Sequence, residues 1–541
     1  MTSQPGAPGI RLQRSARRPL VIFAPFVLLA AVTCGRGKPP GEEAGTAVAV
    51  PEAAVAETLA EVAVEADVAE AEVALVAPKH LLGARAQITP VFTEPKPGAL
   101  KLGYLRAGAV VEREDKPEGD AGCKGGWYAI KPKGYVCVGD HATLDLDDPI
   151  VKYATRRPDR KAPLPYAYAI AKNTLSPFYA RVPTKAESMK LEADLDTHWK
   201  WVSKPQPSDA GPEYDASVTS DGGVIPVWND GPPDFLRDGK GVPNVSGLVK
   251  SGKALWAGRP KTKEGFAIVA SFWSGPGGTT PTGGPDDRRF DLTTDYLLLP
   301  HDRLREVRPS TFHGIPLDAT TTLPVAFVKN RYKAAKVWAD GSKPQETLPS
   351  RTAVPITAAT KHIDGALYLG TTDGAWVKAD NVIKVEPPKS LPAFAAKGEK
   401  WIDVSIARQS IIAFDGDKPV YVSLVSTGRD GLGDPESSHA TIRGVYRIHT
   451  KHVTATMDSD EVGEAFSLRD VPYVMYFETG YALHGAYWHD GFGEPRSHGC
   501  INLAEIDAAW FFAWTGPDVP ETWHGAFARP MATGTPIWIH P

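Results

Sequence analysis

A cysteine and two histidines near the C-terminus are the residues best suited to chemistry in this chain of 541 residues. His484 comes first, and His498 and Gly499 stand directly before Cys500. An imidazole can take the proton of a thiol, and the thiolate can then attack a carbonyl carbon. This set of residues therefore predicts nucleophilic acyl transfer with Cys500 as the nucleophile.

The four cysteines of the chain fall into different classes. Cys123 and Cys137 flank a predicted hairpin, and in an oxidising compartment they are expected to form a disulfide. The alternative, a metal site at this pair, lacks other ligands nearby. Cys500 has no obvious partner. An unpaired thiol in an exported protein indicates a reactive role.

The N-terminus has the pattern of an export signal. Several arginines precede an apolar run over residues 20–32, which is too short to span a bilayer. Cys34 follows this run in a context that resembles the lipobox of bacterial lipoproteins, so residues 1–34 predict export and lipidation of Cys34. The alternative is that Cys34 is removed with an ordinary signal peptide. Residues 35–80 are rich in Ala, Val, Glu and Pro and predict a disordered tether.

The composition predicts a soluble, mainly β, multidomain protein. The chain is 42% hydrophobic and 23% charged, and its 51 Gly and 49 Pro favour short strands and many turns. A net charge of −4 without a basic cluster in the folded part argues against a nucleic-acid partner.

Short apolar runs and turns organise the chain between the tether and the C-terminal domain. Residues 81–147 predict a small barrel, and their order of apolar pairs and aromatic hairpins resembles bacterial SH3-like wall-binding domains. Residues 148–320 predict an irregular, mostly β region of unknown role. Residues 321–388 repeat the barrel pattern and predict a second SH3-like unit.

Strand patterns dominate the last domain until the period changes after Cys500. Asn502 followed by Glu505 predicts the N-cap of a helix. The apolar residues expected to share one face of this helix are Ile506, Ala509, Trp510 and Ala513. A helix beginning there would favour a thiolate, and Gly499 would let backbone N–H groups approach an oxyanion.

The stretches His484-Gly485 and Ser497-His498-Gly499-Cys500 resemble the signature of the YkuD-type L,D-transpeptidases, and the resemblance extends over residues 398–541. It implies a mostly β, sandwich-like catalytic domain with a short helix after the cysteine. The reaction implied is attack of Cys500 on the L,D-amide of a tetrapeptide stem of peptidoglycan. A second stem then resolves the thioester, which gives a 3→3 cross-link.

The same resemblance assigns roles to the neighbouring residues. His484 would be the base, with its ring oriented by the Gly485 carbonyl. His498, counted with the catalytic residues, and Gly499 would shape the substrate and oxyanion site, where Ser497 would support the loop by hydrogen bonding. Trp488 lines the donor groove in this interpretation, with loop packing as the alternative.

Partners and alternatives follow from this interpretation. The expected partners are peptidoglycan stem peptides, an acceptor protein anchored in the outer membrane or wall, and a membrane if Cys34 is lipidated. No cofactor or metal is expected, since the histidines and Cys500 lack zinc-ligand spacing. The alternative functions are an L,D-carboxypeptidase or amidase on the same scaffold and a non-catalytic wall-binding lipoprotein. The expected location is the periplasm or cell envelope.

Overall fold

The structure, a computed structural model, describes residues 79–202, 234–237, 245, 254–275, 287–338, 346–459 and 466–541. Short strands in several sheets form most of its regular structure, which confirms the prediction of a mainly β, multidomain chain. The predicted export signal, Cys34 and nearly all of the predicted tether lie outside the described residues. Within the described ranges, no helix has the length and apolar character needed to cross a membrane.

The first folded segment consists of short antiparallel strands. These strands are β1 (Leu81–Ala84), β2 (Thr89–Phe92), β3 (Lys101–Leu105), β4 (Val110–Glu112), β5 (Trp127–Ala129), β6 (Tyr135–Cys137) and β7 (Ala142–Thr143). β1 pairs with β4 and β7, while β3, β2, β6 and β5 follow one another in a second sheet. The predicted disulfide between Cys123 and Cys137 is present. The SH3-like assignment of this segment stays a prediction.

The region expected to be irregular and mostly β also contains short helices. Its elements are α1 (Pro149–Tyr153), β8 (Ala167–Ala171), α2 (Lys185–Leu191), α3 (Leu195–Val202), α4 (Asp234–Arg237), β9 (Gly265–Trp273), β10 (Arg289–Thr293), β11 (Leu298–Pro300) and β12 (Leu304–Glu306). A capping box between Thr184 and Glu187 begins α2. The strands pair in the order β12, β8, β9, β10, β11, and all these pairs are antiparallel.

The next segment forms a six-stranded sheet in the order β16, β20, β19, β18, β14, β21. The elements of this segment are β13 (Ile315–Pro316), β14 (Val325–Val328), β15 (Ala334–Ala335), β16 (Val337–Trp338), β17 (Thr347–Leu348), β18 (Ala353–Ile363), β19 (Ala366–Thr371), β20 (Ala375–Lys378) and β21 (Val382–Val385). β15 pairs with β17, and β13 joins the sheet of the last domain. The second SH3-like unit stays a prediction.

Among its described residues, the last domain contains two sheets and one α-helix. Its elements are β22 (Lys400–Ser405), β23 (Ser410–Asp415), β24 (Lys418–Leu424), β25 (Gly444–Arg447), β26 (Thr450–Ser459), β27 (Phe466–Glu478), β28 (Tyr481–Gly485), β29 (Ile501–Leu503), α5 (Glu505–Trp514), β30 (Gly525–Phe527) and β31 (Pro536–His540). One sheet has the order β13, β24, β23, β22, β31, β25, and the other runs β30, β26, β27, β28, β29.

The first segment and the last domain share a sheet and a hydrophobic core. β3 pairs with β30, and Gly103 permits this approach because a Cβ there would lie 2.2 Å from the Gly525 carbonyl oxygen. Leu82 of β1 belongs to the same buried cluster as Ile402 of β22 and Phe511 of α5. β9 also lies beside β27 through a parallel bridge. The predicted domain boundaries remain untested.

The prediction for the helix after Cys500 is wrong in its start and in its buried face. Asn502 lies in β29, and α5 begins after Ala504, which makes no side-chain cap. The residues buried on α5 are Glu505, Asp507, Ala508, Phe511 and Phe512. The acidic residues are buried because they accept backbone hydrogen bonds from Ser310 and Gly314. The apolar pattern alone could not show this partner.

Candidate active site

The two halves of the predicted signature lie on neighbouring strands. β28 and β29 run parallel, with His484 opposite Asn502 and Leu483 opposite Ile501. Cys500 directly precedes β29, and its sulfur receives a hydrogen bond from the backbone N–H of Ala482 in β28. Parallel pairing of the strands thus brings the segment of His484 beside that of Cys500.

The loop before Cys500 is held by its own side chains. The Ser497 hydroxyl donates to the Cys500 carbonyl and accepts a hydrogen bond from the Gly499 N–H at 3.1 Å. Gly499 has a φ of +126°, and a Cβ there would lie 2.9 Å from the Tyr481 ring. Only glycine adopts this conformation readily at such a close approach.

The residues that follow β24 hold the loop before Cys500 in position. Ser426 and Asn502 exchange two backbone hydrogen bonds of 2.9 Å, and the Ser497 N–H donates to the Thr427 carbonyl at 3.0 Å. The buried Gln409 side chain in turn donates to Thr427 Oγ1 at 2.6 Å and accepts from the Thr427 N–H at 2.8 Å. Each link is buried, so the loop rests on a rigid support.

Most of the predicted site residues line one cavity of about 750 Å³. The predicted residues on its wall are His484, Trp488, Ser497, His498 and Cys500. Gly485 and Gly499 are their immediate chain neighbours. The structure therefore brings together the residues of the predicted site, while their chemical roles stay predictions.

His484 is buried, and its ring is held in one orientation. Its Nδ1 lies 3.0 Å from the Gly485 carbonyl oxygen, a distance at which Nδ1–H donates and Nε2 keeps a lone pair. The ring centroid lies 5.6 Å from that of Trp488. Burial lowers the pKa of His484 to about 4. The imidazole is therefore neutral at pH 7.

Cys500 is a neutral thiol in this structure. The residue keeps some exposed surface, yet the protein atoms around the sulfur desolvate it and raise its pKa to about 11. The Ala482 N–H acts in the opposite direction and is the weaker effect. The expectation of a thiolate stabilised by a helix N-terminus is therefore wrong, since β29 separates Cys500 from α5.

The thiol and the imidazole are not hydrogen-bonded to each other in the part of the chain that the structure describes. The Cys500 thiol instead points to the Gly480 carbonyl oxygen at 3.6 Å. Catalytic hydrogen bonds are often long or misaligned before substrate binds.

His498 is exposed at the mouth of the cavity. Its ring packs against His439 at 4.9 Å and Phe466 at 5.1 Å between centroids. Deeper in the cavity, the Asn502 amide lies 2.9 Å from His489 Nε2, and its Oδ1 is buried without a hydrogen-bond partner among the described residues. Whichever way the amide is turned, one of its polar atoms is left for a ligand.

Sequence reasoning missed a second wall of the cavity. Lys172, Lys263 and Arg305 line it from the end of β8, the turn before β9, and β12. Nothing local in the sequence marks these residues, because strand pairing over long chain separations brings them to the site. The residues that the structure describes contain no group of three or more metal-ligating side chains.

Comparison with known proteins identifies the C-terminal domain. The family model of YkuD, the L,D-transpeptidase catalytic domain, matches residues 399–539. This range contains every residue of the predicted catalytic set and ends before the C-terminus by two residues. Residues 399–539 are therefore a YkuD domain, as the resemblance predicted. No curated protein sequence matches the chain.

Several solved structures are similar to part of the chain. The catalytic domain of an E. faecium L,D-transpeptidase is 20% identical, with 26% of this chain and 98% of that chain covered and a TM-score of 0.21. An L,D-transpeptidase from Mycobacterium smegmatis is 18% identical, with 44% and 89% covered and a TM-score of 0.21. One from Mycobacterium tuberculosis H37Rv is 19% identical, with 38% and 76% covered and a TM-score of 0.20.

Proposed function

We propose that the protein is a peptidoglycan L,D-transpeptidase that uses Cys500 as nucleophile and His484 as base. The observation that carries this proposal is the placement of both side chains on one cavity, with the His484 ring held so that Nε2 can accept a proton. The YkuD domain over residues 399–539 supports the same reaction class.

The first half-reaction forms a thioester. His484 Nε2 takes the proton of the Cys500 thiol as Sγ attacks the carbonyl carbon of the L,D-amide in a tetrapeptide stem. The resulting oxyanion is stabilised by backbone N–H groups, among which we propose that of Cys500, since the Gly499 N–H is bound to Ser497. Collapse breaks the C–N bond, and His484 returns the proton to the departing D-alanine amine.

The second half-reaction releases the enzyme. The side-chain amine of another stem attacks the thioester carbonyl and gives a proton to His484. Collapse then breaks the C–S bond, and the Cys500 sulfur leaves as a thiolate that recovers the proton from His484. An amide has replaced an amide, so the reaction needs no cofactor or energy source.

The two pKa values limit when the proton can move. A thiol with a pKa of about 11 does not transfer its proton to an imidazole with a pKa of about 4 before substrate is bound. Proton transfer is therefore coupled to the attack on the carbonyl. A substrate that fills the cavity favours such coupling, because it displaces water that would compete for the proton.

The rest of the chain suits an enzyme of the cell envelope. The predicted export signal would carry the protein out of the cytoplasm, where the Cys123–Cys137 disulfide is stable. In this proposal the SH3-like segments bind the wall. Lipidation of Cys34 would hold the protein at a membrane, where an anchored protein is an alternative acceptor.

Incubation of the enzyme with tetrapeptide stems tests the proposal, with products identified by mass spectrometry. We expect released D-alanine and a 3→3 linked dimer, both absent with Cys500→Ala. Tripeptide without dimer would instead assign the L,D-carboxypeptidase alternative, in which water resolves the thioester. Full activity of Cys500→Ala would reject both.

A further inference from the structure

One wall of the catalytic cavity comes from outside the YkuD domain. Lys172, Lys263 and Arg305 contribute to it, together with their neighbours Ile170, Ala171 and Thr262. The matched family range begins only at residue 399. The region between 148 and 320, whose sequence indicates no function, therefore forms part of the active site.

Strand pairing brings the three cationic residues together around Ala171. Arg305 in β12 lies opposite Ile170 in β8, and Lys172 directly follows the end of β8. The backbone N–H of Lys263 donates to the Ala171 carbonyl at 3.1 Å. These residues, far apart in sequence, meet at one edge of the sheet, and we call them the cationic wall.

Two cations of this wall, Lys263 and Arg305, have no acidic counterpart in the described lining of the cavity. None of the described residues that line it is Asp or Glu. Lys263 and Arg305 are exposed, and neither forms an ion pair with a described residue. Lys172 Nζ is engaged with the Asp302 carbonyl at 3.3 Å, so the unbalanced charges are those of Lys263 and Arg305.

Nearby carboxylates are also engaged elsewhere. The buried Glu264 carboxylate, next to Lys263 in the chain, accepts hydrogen bonds from Arg469 and Ser467 at 3.0 Å each. Arg496 also lines the cavity, where it pairs with Glu494 at 2.6 Å, and its Nε is buried without a partner in the described structure. A cavity that is lined by cationic side chains and by no carboxylate attracts an anionic ligand.

We propose that the cationic wall binds the free carboxylates of the donor stem peptide and makes the enzyme selective for acidic stems over amidated ones. This inference rests on the proposed function for the identity of the peptide. A guanidinium can bind a carboxylate through two hydrogen bonds, and neighbouring cations on one wall attract an anion more strongly than a single exposed residue does. Amidation removes the charge but keeps the size of the ligand.

Equilibrium binding to the full chain with Cys500→Ala tests the proposal without turnover. The probes are two synthetic tetrapeptide stems of the same sequence, one with free carboxylates and one with its carboxylates amidated. We expect the acidic stem to bind more tightly by about tenfold or more. Adding Lys263→Glu and Arg305→Glu should abolish this preference, because the acidic stem then loses more affinity than the amidated stem does.

Two further variants distinguish an effect of charge on binding from an effect of the substitutions on folding. Lys263→Gln with Arg305→Gln should reduce the preference without introducing repulsion. Lys190→Glu, an exposed change in α2 away from the cavity, should preserve it. Equal binding of the two stems, equal loss of both in the double variant, or no binding of either would overturn the proposal. Thioester formation by the wild-type enzyme is measured separately, so failure of the proposed function is distinguishable from failure of this inference.

Discussion

At the scale of residues, burial determines the protonation of the candidate catalytic pair. Desolvation disfavours the charged form of each group, so it raises the pKa of Cys500 and lowers that of His484. Both side chains are then neutral at pH 7. This differs from a site in which a thiolate and an imidazolium are already paired before substrate binds.

The reactivity of Cys500 toward a neutral alkylating reagent should follow its raised pKa. We expect the rate of modification by iodoacetamide to rise with pH up to about 11, because only the thiolate reacts. Intact mass spectrometry at a series of pH values measures this rate, with Cys500→Ala as the blank. A plateau beginning near neutral pH would show a preformed ion pair and contradict the account.

Gly499→Ala should damage the site more than it damages the fold. Its φ of +126° and the nearby Tyr481 ring would both resist a Cβ, and a shift of about 1 Å in the loop can lower the acylation rate about a hundredfold. The matched control is Gly365→Ala, which has a φ of +79° and nothing within 4 Å of the added Cβ. Comparable activity of the two variants would exclude a positional role for Gly499.

At the scale of elements, α5 shows how a buried carboxylate connects distant segments. Asp507 accepts hydrogen bonds from the Gly314 N–H at 2.8 Å, the Tyr421 hydroxyl at 2.7 Å and the Ser423 hydroxyl. Glu505 accepts from the Ser310 N–H at 3.1 Å, and burial raises its pKa to about 8. The Asp507 carboxylate accepts hydrogen bonds from three donors, whereas the Glu505 carboxylate accepts one from a described partner outside the helix.

Asp507→Asn and Glu505→Gln should therefore lower the free energy of unfolding by different amounts. The amide introduced by Asp507→Asn would put a donor against existing donors, which should lower the free energy of unfolding by about 3 kcal/mol. Glu505 is largely protonated at pH 7, so Gln is a close substitute and should cost less than about 1 kcal/mol. Urea unfolding measures both. Equal losses would show that the hydrogen-bond count at Asp507 is not the cause.

Elements whose sequence signals lie within a short stretch of the chain could be predicted from the sequence. The hairpin at Cys123 and Cys137 and the loop before Cys500 could be predicted because their residues are neighbours in the chain. The buried face of α5 could not be predicted, since its partners are backbone N–H groups at residues 310–314. The cationic wall depends on the pairing of β8 with β12, for which no local pattern exists.

At the scale of the whole molecule, neutral buried histidines make stability depend on pH. Burial lowers the pKa values of His452, His484 and His489 to about 4, from 6.5 in the unfolded chain. The unfolded state therefore binds more protons below pH 6.5, and the stability present above that pH is lost as the pH falls toward 4. Glu505 and His540 act in the opposite direction, because their pKa values are raised in the folded state.

The substitution His452→Gln measures how much one histidine contributes to the pH dependence of the free energy of unfolding. Between pH 7.5 and pH 4.5, we expect His452 to lower the free energy of unfolding of the wild-type chain by about 2 kcal/mol. The variant has no imidazole to protonate at this position, so its free energy of unfolding should fall by that much less. Urea unfolding of both chains at a series of pH values provides the measurement. The same pH dependence in both would contradict the burial of a neutral His452.

The proposed reaction requires that Cys500 forms a thioester with a stem peptide. The most direct measurement is the intact mass of the full chain after rapid mixing with an acidic tetrapeptide stem and acid quenching. We expect the mass to increase by that of the stem without its terminal D-alanine, with the added mass on the peptide that contains Cys500 and no increase in Cys500→Ala. Cross-linked product from Cys500→Ala, or an adduct on another residue of the wild-type chain, would contradict it.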